Sequence, residues 1–252
     1  MFETNNNRKM KHLRPHDAPG VRALLTLALI VLIGAMCLGS AAYAGTVSLP
    51  QTGQVTSYDT NTPQRDDGAL RIGVAWPVPR FTVNSDQTVT DTLTGLVWTK
   101  DASTPTVGSC TGGKMTWQAA LDYVACLNTA SYLGHNDWRL PNINELESLV
   151  NAGQANTAWL QSQGFANVKP DNTRYWSSTT HAYYTSYAWE VNMYDGYVIA
   201  NEYNTNNKTS INYYVWPVRS GQSTFIWATG QSTIYAAGDD GALKTGVSWP
   251  NT

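Results

Sequence analysis

The pattern of apolar and polar residues predicts strands at both ends of the central part of the chain. Residues 81–100 alternate between apolar and polar side chains and contain turn residues at 84–86 and 94–95, as short antiparallel strands do. Residues 175–219 show the same character in four runs separated by polar turns, which are YWSSTT, AWEVNM, GYVIA and NYYVWPVR.

Between these strands the apolar period changes to that of two helices. In residues 115–130 apolar side chains recur every three or four positions, and Thr116 is placed to cap the first turn. A second helix is predicted after Pro141, where Asn142 and Glu145 have the spacing of a capping box. Strands, two helices and strands in this order predict an α+β fold and not alternating βαβ units. The predicted helix faces are Trp117, Leu121, Val124 and Leu127, then Ile143, Leu146, Leu149 and Val150.

The first 44 residues have the pattern of a secretory signal peptide. Five basic residues precede an apolar run, ALLTLALIVLIGAMCLGS, and residues 42–44 (AYA) form an A-x-A cleavage pattern before Gly45. An uncleaved anchor is the alternative, because the run is near the lower limit for a membrane span. We therefore expect export, to the cell surface, the extracellular space or the periplasm.

From residue 45 onward the chain is acidic and long enough for one sizeable core. It carries 11 Lys and Arg against 16 Asp and Glu, a net charge of −5. Such a surface does not favour nucleic acid or an anionic membrane face as a partner.

Two cysteines, Cys110 and Cys126, lie in this part of the chain. In an exported protein a lone pair at this spacing predicts a disulfide bond, with two free thiols as the alternative. The bond would contribute roughly 3 kcal/mol to stability on the chain-entropy model. It would also tie the first helix to the loop that precedes it.

One sequence motif occurs twice. Residues 52–58 (TGQVTSY) resemble 229–235 (TGQSTIY), and residues 66–77 (DDGALRIGVAWP) match 239–250 (DDGALKTGVSWP) at nine of twelve positions. The chain therefore divides into a signal peptide, a first repeat, a central domain and an orphan second repeat, with bounds 1–44, 45–80, 81–220 and 221–252.

The central domain resembles the Lcl C-terminal domain family, which ends a bacterial collagen-like adhesin and recurs in exported bacterial proteins. The resemblance covers roughly residues 80–220, and its motifs are TGLVW (94–98), WQAALDYVACLN (117–128), DWRLPNINEL (137–146), YWSST (175–179) and YVWPVR (214–219). It implies a C-type-lectin-like fold, in which two helices pack beside antiparallel sheets and the loops between the late strands present the ligand surface. It also implies surface adhesion, with sulfated glycans as one ligand class, and it establishes no catalytic activity.

Residues 181–197, HAYYTSYAWEVNMYDGY, contain five tyrosines in seventeen residues. Tyrosine gives large, stiff contact area at low entropic cost, and Ser, Thr and Asn add adaptable hydrogen bonds, as in an antibody paratope. The polar neighbours predict exposed tyrosines, whereas Trp176, Trp189 and Trp216 lie in strand-like runs and are predicted to be core residues. The alternative is that the tyrosines belong to the core too. The predicted ligand-binding residues are His181, Tyr183, Tyr184, Tyr187, Tyr194, Tyr197, Asn201, Tyr203, Asn204, Asn206, Asn212 and Tyr213.

These observations predict an exported binding protein of the adhesin type that recognises a neutral or sulfated glycan or a surface protein. One alternative is a receptor diversified by a retroelement that mutates adenines, because residues 175–214 are rich in Asn, Tyr, Ser and Thr. Another is a filament subunit that self-associates when residues 221–252 dock on a neighbour in the place of its first repeat. A remnant of a lost module is the simpler explanation of that second repeat.

Catalytic motifs are absent from the sequence. Only His135 and His181 follow the signal peptide, and no G-x-S-x-G, H-E-x-x-H, P-loop or C-x-x-C motif occurs. We therefore expect no enzymatic activity and no cofactor. Paired carboxylates make weak calcium candidates, for which an Asp-Gly turn is the simpler explanation. These candidates are Asp66, Asp67, Asp239 and Asp240.

Overall fold

A computed structural model describes residues 48–200, 207–220 and 225–249 of the chain. All of them lie in one compact unit, Ala44–Thr252. The predicted signal peptide falls outside the described residues. Within the described ranges, no helix combines the length and the apolar character that crossing a membrane requires.

Short helices and strands follow one another in an α+β arrangement, as the sequence predicts. The helices are α1 (Asp67–Leu70), α2 (Trp117–Thr129), α3 (Ile143–Glu147), α4 (Asn156–Ser162) and α5 (Asp240–Leu243), with a 3-10 turn at Tyr132–Gly134. The strands are β1 (Phe81–Val83), β2 (Thr88–Asp91), β3 (Val97–Thr99), β4 (Arg174–Thr180), β5 (Ala188–Asn192), β6 (Val198–Ile199) and β7 (Val218–Arg219).

The strands form two antiparallel sheets. The first has the order β1-β2-β3-β7, so that β7 returns from the far end of the central domain to pair with β3, Trp98 opposite Val218. The second has the order β4-β5-β6, with Trp176 opposite Glu190. The late run NYYVWPVR was predicted as a whole strand, but only its last two residues are one. Pro217 cannot donate to a ladder, and residues 213 and 214 make only single bridges.

Helix α2 forms as its apolar spacing predicts. The Thr116 side chain accepts a hydrogen bond from the Ala119 N–H at 3.4 Å. The four predicted face residues are all buried. A disulfide bond joins Cys110 to Cys126 and holds the preceding loop against this helix, so the predicted pairing is confirmed.

Helix α3 has the predicted capping box but is shorter than expected. Asn142 Oδ1 accepts from the Glu145 N–H, and Glu145 Oε2 accepts from the Asn142 N–H, both at 2.9 Å. The helix ends at Glu147, so Leu149 and Val150 pack beyond it and do not extend its face.

Helix α4 was not predicted, because its sequence NTAWLQS is polar at its start. The structure buries these polar groups. Asn156 Nδ2 donates to the Met193 carbonyl at 3.2 Å and Thr157 Oγ1 donates to the same carbonyl at 2.9 Å.

Two apolar clusters form the core. One lies around the first sheet and contains Trp98, Phe165 and Trp216, and the other surrounds α2 and contains Trp176. Trp176 and Trp216 are fully buried, as predicted. Trp189 is half-buried and packs against the first cluster.

Both repeats fold in the same way. In each, an aspartate caps a one-turn helix by accepting a backbone N–H, at 3.2 Å for Asp66 and 2.9 Å for Asp239. In each, a tryptophan donates from Nε1 to an equivalent backbone carbonyl, at 2.7 Å for Trp76 and 2.5 Å for Trp249. The repeat in the sequence is therefore also a repeat in structure.

Candidate functional site

Residues 181–187 join β4 to β5 and are called here the tyrosine loop. His181 organises it from its base. The imidazole stacks on Trp189, with ring centroids 5.3 Å apart and an interplanar angle of 27°. Its Nδ1 accepts the backbone N–H groups of Tyr183 at 3.2 Å and Tyr184 at 2.9 Å. Because Nδ1 is the acceptor, the neutral ring carries its proton on Nε2.

The tyrosine loop presents its rings to solvent. Tyr183 is 81% exposed and Tyr184 is 46% exposed, and the two rings meet edge to face at 4.7 Å. Tyr187 is half-buried, and its carbonyl accepts from the His181 N–H at 3.0 Å. Exposed rings on a loop that is fixed by hydrogen bonds are suited to contact a ligand with little further ordering.

A cleft of about 420 Å³, called here the loop cleft, lies beside these rings. The end of β4, His181, Tyr183 and Trp189 line one side of it, and residues 229–233 with Tyr235 line the other. The sequence did not predict that the second repeat would contribute to the site. The motif itself was visible, but its place in the fold depends on contacts between residues about 50 positions apart.

Hydrogen bonds to β4 hold the second repeat in this place. Thr179 Oγ1 donates to Asp240 Oδ2 at 2.8 Å, and the Thr180 N–H donates to Gln231 Oε1 at 2.6 Å. Asp240 is buried, which raises the pKa of its carboxyl, and the hydrogen bonds from Thr229 and Thr179 oppose that shift.

Lys208 lies behind the loop cleft and was missed by the sequence prediction. Its Nζ donates to Thr180 Oγ1 at 2.7 Å and lies 3.9 Å from the Trp117 ring centroid and 5.0 Å from that of Tyr235. Burial lowers the pKa of its ammonium group to about 8, and the charge of Asp239 opposes the shift. Its neighbours in the sequence are polar, so nothing local indicates that it is buried.

The structure separates Tyr194 and Tyr197 from the tyrosine loop. They lie in the turn between β5 and β6, where Tyr194 is 55% and Tyr197 is 48% exposed. The tyrosine loop is at the other end of β5, and at about 3.3 Å per residue that strand alone spans about 13 Å. The predicted single face is therefore two patches at opposite ends of one strand.

The remaining predicted residues fall elsewhere. Tyr213 is half-buried, with its ring 4.8 Å from Trp176 and its hydroxyl accepting from Arg174 at 3.2 Å, because it packs against the core cluster around α2. Asn212 is exposed. The described chain resumes at Asn207, which pairs with Tyr187. Four predicted residues lie outside the described residues, namely Asn201, Tyr203, Asn204 and Asn206.

The carboxylates of the four calcium candidates accept hydrogen bonds from groups within the protein. Asp66 and Asp239 cap α1 and α5, and Asp67 and Asp240 accept from the hydroxyl groups of threonines in their own repeats. Across the part of the chain that the structure describes, no three His, Cys, Asp or Glu side chains are grouped to hold a metal ion. Each Asp-Gly pair lies in a one-turn helix, whereas the sequence predicts an Asp-Gly turn.

Comparison with known proteins identifies the family of the region that contains the tyrosine loop. The family model described as the Lcl C-terminal domain matches residues 87–219, more than half of the chain. The match contains the strands β2 to β7, the helices α2 to α4 and the tyrosine loop, and excludes both repeats. No curated protein matches the chain.

Proposed function

Because the chain belongs to the Lcl C-terminal domain family, we propose that it is an exported, adhesin-type binding protein that recognises a glycan or a surface protein. The tyrosine loop and the loop cleft form its ligand site. The observation that carries this proposal is that Tyr183 and Tyr184 are exposed while their backbone is held by His181. Two antiparallel sheets with helices beside them support the C-type-lectin-like fold that goes with this function.

The chemistry of the site favours a glycan. Aromatic faces stack on the apolar faces of sugar rings, and the loop cleft adds hydroxyl groups that can bond sugar hydroxyls. The exposed side chains of Ser232 and Thr233 supply such groups, whereas the side chains of Thr179, Thr180 and Gln231, which also line the cleft, are bonded to Asp240, Lys208 and Asp239. A ligand seated in the cleft would therefore meet stacking surface and hydrogen-bonding groups together.

A sulfated glycan is the preferred subclass. The ammonium group of Lys208 lies 2.7 Å from the Thr180 hydroxyl, which is on the wall of the loop cleft. A partly buried positive charge is screened less than an exposed one and attracts an anion that enters the cleft.

Binding to an array of sulfated and neutral glycans tests the proposal. The Tyr183→Ala/Tyr184→Ala variant should lose binding, whereas Tyr194→Ala/Tyr197→Ala, which removes two exposed rings at the other end of β5, should retain it. A chelator should have no effect. Equal loss in both variants would place the ligand elsewhere, and no glycan binding by the unaltered protein would favour a protein ligand.

The retroelement alternative stays a prediction. The burial of several residues in its window restricts the positions that could vary freely. Within the window 175–214, Thr179 and Thr180 are buried beside the second repeat, and Ser177 and Asn192 are buried as well. Free variation at such positions would disturb packing, so tolerated variation should concentrate in the tyrosine loop. A nearby template copy of the gene segment, differing mainly at adenines, would support this alternative, and the absence of one would exclude it.

A further inference from the structure

The first repeat docks on the central domain through one face. The Ala152 N–H donates to the Thr52 carbonyl at 3.0 Å. A Cβ atom built on Gly53 would lie 2.4 Å from Asn151 Oδ1, so the backbone of the repeat approaches the domain closely there. The Trp76 ring lies 5.5 Å from that of Trp159. We call Thr52, Gly53 and Trp76 the glycine face, and Asn151, Ala152 and Trp159 the first docking site.

The second repeat docks through a different face. Its Asp240 and Gln231 accept hydrogen bonds from Thr179 and Thr180 of β4. Asn144 Nδ2 also donates to the Trp227 carbonyl at 2.8 Å. We call Gln231 and Asp240 the aspartate face of this repeat.

Each repeat therefore leaves uncovered the face that the other one uses. In the second repeat, Thr229, Gly230 and Trp249 form the glycine face, and Thr229 and Gly230 also line the loop cleft. A Cβ atom built on Gly230 meets nothing within 4 Å, and Trp249 is 60% exposed. In the first repeat, Asp67 occupies the position of Asp240 and accepts from Thr52 of its own repeat.

We propose that the second repeat is a docking module for a second copy of this chain. Its aspartate face holds it on its own domain, and its glycine face binds the first docking site of a neighbour in place of the neighbour's first repeat. The groups needed are present, because Thr229, Gly230 and Trp249 stand where Thr52, Gly53 and Trp76 stand in the first repeat.

The resulting contact is directional. One surface of the first molecule, the glycine face of its second repeat, meets a different surface of the next, the first docking site. A heterologous contact of this kind repeats from molecule to molecule and builds an open, head-to-tail assembly. A neighbour bound there would cover the part of the loop cleft that Thr229 and Gly230 line, so assembly and ligand binding would compete.

Competition within one chain controls this assembly. The first repeat is joined to the central domain by residues 77–80 and reaches the first docking site at an effective concentration on the order of millimolar. In dilute solution the protein should therefore be monomeric. A high protein concentration, or weaker binding of the first repeat to the first docking site, favours binding of a neighbour's second repeat there.

Sedimentation velocity of residues 44–252, the compact unit, tests the proposal with matched tryptophan variants. Trp76→Ala should release the first repeat and produce association that increases with concentration. Trp249→Ala should remain monomeric, and Trp76→Ala/Trp249→Ala should be monomeric too, because no intact glycine face remains. Near-ultraviolet circular dichroism checks that each variant keeps its packed core.

Two outcomes would overturn the proposal. One is a folded Trp76→Ala variant that stays monomeric up to about 1 mM, the scale of the competing effective concentration. The other is association of the double variant as strong as that of Trp76→Ala, which would show nonspecific contact. If Trp76→Ala loses its fold, Gly53→Ala, which clashes with Asn151, replaces it in the same comparison.

Cross-linking locates the contact. Val55 and Gln154 line the same cleft at the first docking site, and Ser232 holds the position of Val55 in the second repeat. In the Trp76→Ala background, a Ser232→Cys chain mixed with a Gln154→Cys chain should form a disulfide-linked dimer. Ser232→Cys mixed with Gln118→Cys, an exposed position on α2, should not, and equal linking in both mixtures would contradict the proposed geometry.

Discussion

At the scale of single residues, His181 connects the fold to the proposed function. Its ring is stacked on Trp189 of the sheet, and its Nδ1 accepts two N–H groups of the tyrosine loop. The loop thus gains order from one side chain that is anchored to the core. Without that acceptor, two backbone donors of the loop would have to find water instead.

Two substitutions at His181 separate its hydrogen bonds from its stacking. His181→Phe keeps an aromatic ring but removes the acceptor, whereas His181→Asn keeps an acceptor of the kind that caps turns. Comparable caps contribute about 1 kcal/mol, so residues 181–187 of the Phe variant should exchange amide hydrogens roughly fivefold faster. The turn at 193–197 serves as an internal reference. Unchanged exchange in the Phe variant would show that the loop is held by other contacts.

Lys208 gives a pH dependence with a definite sign. Burial lowers its pKa in the folded protein from 10.5 to about 8, so between these values the unfolded chain binds more protons than the folded one. Stability should therefore rise with pH in this window as the buried ammonium loses its charge. Lys208→Met removes the effect.

The measurement is the free energy of unfolding in urea from pH 7 to pH 10 for both proteins. Ionisation of tyrosines affects both, so it cancels in their difference. The stability of the unaltered protein relative to Lys208→Met should increase above about pH 8. A difference that stays constant with pH would mean that Lys208 keeps an ordinary pKa.

At the scale of helices and strands, the features that depend on neighbouring residues were predictable, and those that depend on distant contacts were not. The cap at Thr116 and the capping box of α3 depend on residues three positions apart, so the sequence contains all that they need. Helix α4 depends on the Met193 carbonyl, which satisfies its buried polar side chains from 36 residues away. Residues 213–217 have a strand-like composition but do not form a strand. They contain a proline, and they have too few pairing partners, which the local sequence does not show.

The two repeats offer a matched test at this scale. Gly53 and Gly230 have similar positive φ angles, +89° and +85°, so alanine adds similar backbone strain at each, about 1 to 2 kcal/mol. Only at Gly53 would the new Cβ clash with Asn151. Gly53→Ala should therefore expose the first repeat to limited proteolysis, and Gly230→Ala should not. Equal sensitivity of the two repeats to proteolysis would mean that backbone strain, and not the clash with Asn151, causes the effect of Gly53→Ala.

At the scale of the whole molecule, the second repeat joins recognition to assembly. Its residues 229–233 line one side of the loop cleft, and its glycine face, which shares Thr229 and Gly230 with that lining, is open to a neighbour. The sequence showed the motif and the tyrosine-rich segment as separate features, because nothing in either indicates that they lie side by side. It also placed Tyr194 and Tyr197 with the tyrosine loop, since composition alone does not show which end of a strand a residue occupies.

The most direct test of this account is a titration of the protein with the glycan it binds best, comparing two double variants. Truncating aromatic residues at the centre of a binding site commonly costs 2 kcal/mol or more, so Tyr183→Ala/Tyr184→Ala should bind at least roughly thirtyfold more weakly. Tyr194→Ala/Tyr197→Ala should bind as the unaltered protein does. Undiminished affinity in the first variant, or an equal loss in the second, would contradict the assignment of the tyrosine loop as the ligand site.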